Sequence, residues 1–160
     1  MTMDTRIDAA LASGWFGAGL PDATRARLAE IAELASIPAG AIVLREGAAV
    51  DSFGVVVDGR LAIRLAVPGR AAMTVLTIEP GDCIGWSALV PPHRATSTVT
   101  AIEPTTVVIF DGPALRAAMD ADPALAAAVL WRILDAVSRR LTATRTQLLD
   151  LFARTDQEPW

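Results

Sequence analysis

The sequence predicts an α+β fold in which helices flank an antiparallel sandwich or roll of short strands. Two observations carry this. Apolar residues recur at helical spacing in the first and last thirds of the chain. In the middle they gather into short runs separated by turn dipeptides every 8–12 residues or so. At 160 residues the chain makes one domain with a core of its own.

The first helical stretch is Arg6 to Ser13, broken by the glycines at 14, 17 and 19. Pro21 suits a first helical position and Asp22 favours the positive end of the helix dipole. Leu28, Ile31, Ala32 and Ala35 keep helical spacing until Pro38 and Gly40 end the run. Val55-Val56-Val57 then meets Asp58-Gly59, a two-residue hairpin signal, and Leu61, Ile63, Leu65 and Val67 alternate beyond it. Pro68-Gly69 turns the chain into a strand from Met73 to Ile78, and Glu79-Pro80-Gly81-Asp82 turns it again. Thr96 to Ile102 and Thr105 to Phe110 are two further β-rich runs around Glu103-Pro104. Pro113 opens a short helix, and Asp122-Pro123 is an N-cap and first-turn pair for a long one.

Along that last helix Leu130, Leu134, Val137, Leu141, Thr144, Leu148 and Leu151 step by four and three without a break. This heptad seam fits two partners, the chain's own strands or the helix of a second copy. A helix of about 45 Å outruns a small roll, so a homodimer through it is expected.

Composition removes many enzyme classes. All 14 basic residues are arginine, so a P-loop, a Schiff base and pyridoxal phosphate chemistry are excluded. One histidine, His93, and one cysteine, Cys83, leave no zinc site, disulfide or Cys-X-X-Cys pair within the chain. His93 follows Pro91-Pro92 and reads as a loop residue, and Cys83 as a small buried hydrophobe. Asp58, Glu79, Asp82, Glu103 and Asp111 each adjoin Gly or Pro, where turn formation explains them. No catalytic residue and no metal ligand is expected. A net charge of −4 argues against a nucleic-acid surface. No apolar run spans a bilayer, no signal-peptide core opens the chain, and a lone cysteine fits a reducing compartment. A soluble, cytoplasmic protein without membrane or nucleic-acid partners is the expectation.

Five short segments in order resemble a known family. They are Arg45-Glu46-Gly47, Val57-Asp58-Gly59-Arg60-Leu61, Gly81-Asp82-Cys83-Ile84-Gly85, Arg94-Ala95-Thr96-Ser97-Thr98-Val99-Thr100-Ala101 and Arg139-Arg140-Leu141. From about Leu20 to Phe152 the chain resembles the cyclic nucleotide-binding domain of the catabolite activator and kinase regulatory-subunit superfamily. The resemblance implies an antiparallel β-roll (a double-stranded β-helix or jelly roll) flanked by N-terminal helices and a long C-terminal helix. The chain thus divides into an N-terminal helical segment at 1–36, the roll at 37–112 and C-terminal helices at 113–153, and the resemblance implies a phosphate-binding cassette at about 85–98.

The function it implies is a stand-alone regulatory or sensor domain for a small anionic, nucleotide-like molecule such as cyclic AMP (cAMP) or cyclic GMP (cGMP). No other cofactor is implied. The alternative is a dimeric interaction or scaffold module that has lost its ligand. The family's transcription factors carry a helix-turn-helix module after the long helix. Here the chain ends at Trp160, so direct DNA binding is not expected.

The family's cassette cradles a cyclic phosphate on a short helix, helped by an arginine. The implied ligand-binding residues are Gly85, Trp86, Ser87, Arg94, Thr96 and Ser97, with Thr144 and Arg145 closing the pocket from the last helix. Two positions depart from the family. Trp86 stands where a glutamate accepts from the ribose 2′-hydroxyl, and an indole offers no such acceptor. It either plugs the ribose site or gives a flat ring a stacking plate. Ala95 stands where the family arginine sits, and Arg94 comes one residue early, either reaching the phosphate or facing solvent. Thr144 is also the polar break in the seam, so a base contact and a register-setting role both remain open.

Overall fold

The computed structural model describes residues 3–155 apart from 67 and 70, with side chains over 5–150. Helices α1 (Met3–Ser13) and α2 (Asp22–Glu30) lead into eight strands. These are β1 (Ala32–Ile37), β2 (Ile42–Leu44), β3 (Ser52–Asp58), β4 (Leu61–Leu65), β5 (Met73–Ile78), β6 (Cys83–Ile84), β7 (Thr98–Ala101) and β8 (Thr105–Asp111). Helices α3 (Gly112–Ala121) and α4 (Pro123–Thr155) complete the fold. The strands form two antiparallel sheets, ordered β1-β8-β3-β6 and β2-β7-β4-β5.

The first sheet lies in the middle of the molecule. Along β8, Val108 and Phe110 join the core under the helices, while Val107 belongs to the core between the sheets and Ile109 packs against it. A period of two therefore serves two cores, which is why β8 and β3 read as unbroken apolar runs. Phe53 stands between Phe16, at 5.4 Å between ring centroids, and Phe110, at 5.9 Å. The inter-sheet core is made by Val56, Leu61, Ile78, Ile84, Val99, Ala101 and Val107.

Both predicted C-terminal helix starts are present. The Asp111 carboxylate accepts from the Ala114 N–H at 2.8 Å, and that of Asp122 from Ala124 at 3.0 Å and Leu125 at 3.2 Å. Such a cap contributes about 1 kcal/mol.

Three expectations need correction. The helical segment does not reach residue 36: α2 ends at Glu30, and Ala32–Ile37 is a strand paired residue for residue with Phe110–Thr105. Its partner lies some 70 residues away, so local spacing could not reveal it. Asp58-Gly59 is a turn but not a hairpin, because β3 and β4 enter different sheets. Gly59 (φ +85°) makes this corner, and a Cβ there would lie 2.4 Å from the Pro104 carbonyl oxygen. The true hairpin is β4–β5, with Leu61 opposite Ile78 and Pro68-Gly69 at its tip. Lastly, Pro21 is the residue before α2 and not its first helical residue. Val67 lies outside the described residues. Among the described residues no helix is long and apolar enough to cross a membrane.

Candidate functional site

The site is built where β6 leaves the first sheet. Gly85 takes φ +67°, and a Cβ on it would meet the Ser52 carbonyl oxygen at 2.3 Å, so only glycine fits. Trp86–Ala88 then forms a 3-10 turn closed by Ala88 N–H to Gly85 at 2.9 Å and Leu89 N–H to Trp86 at 3.0 Å. His93 braces it, with Nδ1 3.0 Å from the Ser87 carbonyl oxygen.

Beyond His93 the backbone runs antiparallel to residues 47–50. Val50 N–H donates to the His93 carbonyl at 2.8 Å, and Ala95 N–H to that of Ala48 at 2.9 Å. In an extended segment adjacent side chains face opposite ways. Ala95 is buried, and Arg94 points outward, donating from Nη1 to the Gly47 carbonyl at 2.8 Å. The one-residue offset in the sequence thus becomes a change of face.

Three cavities meet at Trp86. The one inside the roll measures only about 20 Å³, with Gly85, Trp86, Ser87, Thr96, Ser97 and Arg140 in its wall among Ile63, Ile78 and Ile84. That is room for about one water molecule and no larger ligand. Next to it lies a cavity of about 290 Å³. Ile63, Leu65, Val75 and Leu76 form one side, Trp86, Thr96 and Ser97 a second, and Val137, Arg140, Leu141 and Thr144 of α4 the third. On the far side of Trp86 an apolar groove of about 460 Å³ runs between Val90 and α4, along Leu130, Trp131, Leu134 and Val137.

The structure therefore brings Gly85, Trp86, Ser87, Thr96, Ser97 and Thr144 together. Arg94 and Arg145 lie outside these cavities, each on an exposed surface. Thr144 donates its hydroxyl to the Arg140 carbonyl at 2.8 Å, one turn back along the helix.

Sequence reasoning missed Arg140 as a wall residue. The signal was present: Leu125, Val129, Ile133 and Ala136 form the buried stripe of α4, and one more step of four reaches Arg140. Its guanidinium is half-buried and donates to the Cys83 carbonyl. Arg139 beside it is engaged elsewhere, 2.9 Å from Asp82 and with its guanidinium 3.9 Å from the centre of the Trp15 ring. The Cys83 thiol is buried, and loss of solvation raises its pKa to about 11 against the opposing pull of Arg140. Among the described residues no three His, Cys, Asp or Glu side chains gather as metal ligands would.

The expected seam is largely uncovered. Leu130, Leu134, Leu141 and Leu148 are between 46% and 60% exposed, and Trp131 beside them is 70% exposed. The side chain of Leu151 lies outside the described residues.

These features agree with what the chain is similar to. A protein of Geobacter metallireducens named for cyclic nucleotide binding shares 27% identity over 88% of this chain and 99% of its own, at a TM-score of 0.73. A cyclic nucleotide-binding domain from Methylobacillus flagellatus shares the fold at a TM-score of 0.78, with 18% identity over 92% of this chain and 83% of its own. The regulatory domain of Toxoplasma gondii PKA, solved with cAMP, gives a TM-score of 0.66 with 22% identity over 73% of this chain and 45% of its own. No curated protein sequence matches. The sequence profile of the family described as Cyclic nucleotide-binding domain matches residues 34–122, more than half of the chain. The chain belongs to the cyclic nucleotide-binding domain family.

Proposed function

We propose that the chain is a ligand-sensing regulatory domain, without catalysis of its own, whose small-molecule site is the cavity between Trp86, Thr96-Ser97 and α4. One observation carries this reading. The space is about 290 Å³, close to the roughly 300 Å³ at which small-molecule sites begin, and α4 forms one wall. A molecule there touches the roll and the helix together, so it favours one helix position over another only through those contacts. The ligand we favour is a nucleotide-like anion lying outside the roll, with its flat ring against Trp86. With an indole in place of a carboxylate acceptor, binding is expected to be micromolar or weaker and nearly indifferent to the 2′-hydroxyl.

A melting experiment tests this. Cyclic AMP or cyclic GMP at about 100 times its dissociation constant should add about 2.7 kcal/mol of stability. No shift with either at millimolar concentration would leave the second reading, a scaffold module that binds no nucleotide. What favours that alternative is the closed interior of the roll, only about 20 Å³. Either reading includes a homodimer through the outer face of α4, on the grounds of its exposed leucines.

A further inference from the structure

Among the described residues, Arg140 is the only charged side chain in the walls of the 20 Å³ and 290 Å³ cavities. Among the described residues it has no carboxylate partner, and its one hydrogen bond uses Nη2 toward the Cys83 carbonyl. A guanidinium carries five N–H donors, so most of its donor capacity is unspent. It is half-buried, at a wall whose other α4 members are Val137, Leu141 and Thr144. Withdrawing a cation from water without an anion beside it is costly, and a guanidinium's planar fork matches a phosphate or carboxylate. The Thr96 and Ser97 hydroxyls border the same space, as does the Trp86 ring. Arg94, on the other face of its segment, is exposed and lines neither cavity.

We infer that Arg140 is the residue that receives the ligand's anionic group, so that the cation opposite the anion comes from α4 and not from the cassette. The inference rests on the sensor reading above and adds its specificity-determining residue. The expected ligand joins one phosphate or carboxylate to a flat apolar body, with the charge toward Arg140 and the body toward Trp86. Cassette hydroxyls and helix guanidinium then hold the same anion from two sides.

Titration calorimetry with cyclic AMP, and with neutral adenosine as the probe lacking the anion, tests the assignment. For Arg140→Ala and Arg140→Gln, cyclic AMP affinity should fall about 10- to 100-fold, the scale of a charge-assisted hydrogen bond. Adenosine affinity should stay within about threefold, and Arg140→Lys should recover part of the loss, since a charge remains without the fork. Arg94→Ala should bind cyclic AMP like the wild type. Melting curves of the unliganded variants separate a lost ligand contact from a lost tether to the Cys83 carbonyl. Two outcomes overturn the assignment alone: cyclic AMP affinity that survives both Arg140 substitutions, or a loss that follows Arg94→Ala instead. A wild type that binds no cyclic AMP overturns the sensor reading and this assignment with it.

Discussion

Helix α4 carries two apolar stripes with different fates. Leu125, Val129, Ile133 and Ala136 are buried against the chain's own core, each no more than 5% exposed. Leu130, Leu134, Leu141 and Leu148, on the neighbouring face, are about half exposed. Hydrophobicity alone does not separate the two sets. What separates them is the face of the helix, since Leu130 and Leu134 interleave with Val129 and Ile133; beyond Ala136 the inner stripe passes into Arg140, where the cavity begins, while the outer seam continues for three more turns. A helix of 33 residues extends about 50 Å, longer than the strands beneath it. The inner stripe holds the domain together, and the outer one is available to something else.

That contrast can be broken or sharpened experimentally. The largest effect is expected from Leu125→Ala, which empties a fully packed site and should cost about 2–5 kcal/mol by urea unfolding. A cost below about 1 kcal/mol would mean that the inner stripe is not a core. Next comes Asp122→Ala, which removes the acceptor for two N–H groups at the start of α4 and should cost about 1 kcal/mol. The smallest change in stability, about 0.5 kcal/mol or less for the separated protomer, is expected for Leu134→Glu combined with Leu141→Glu. The same pair should convert a sedimenting dimer to a monomer. A wild type that sediments as a monomer at micromolar concentration would show that the outer stripe needs no second copy.

The two stripes also explain what could be read from the sequence. The outer seam was legible because four-three spacing is a local pattern. The inner stripe follows the same rule one face away, and its continuation to Arg140 was hidden because an arginine breaks an apolar pattern. The cap at Asp122 behaved similarly, because it acts within three residues of itself, whereas Asp111 reads from the sequence as a turn residue and is in fact a cap. Ala32–Ile37 was not legible as a strand, since Leu28, Ile31, Ala32 and Ala35 fit a helix equally well and only β8 decides otherwise. The corner at Gly59 likewise depends on Pro104 and Thr105, far along the chain. Of the residues around these cavities, Gly85, Trp86, Ser87, Thr96, Ser97 and Thr144 are named by the family resemblance. The outward turn of Arg94 follows from strand alternation beside Ala95, which needs the pairing with residues 47–50 to be known.

Cys83 makes the protein a clock for its own opening. A thiolate is the species that reacts, and with the thiol pKa raised to about 11 the folded chain holds very little of it near neutral pH. The side chain is fully buried on the short strand that pairs with β3. An alkylating reagent must therefore wait for that strand to separate, and its rate of uptake counts separations. Because the same residue's carbonyl receives Arg140, the count also reads how firmly α4 is moored at the cavity. A helix loosened from the roll would be seen as faster labelling of the Cys83 sulfur.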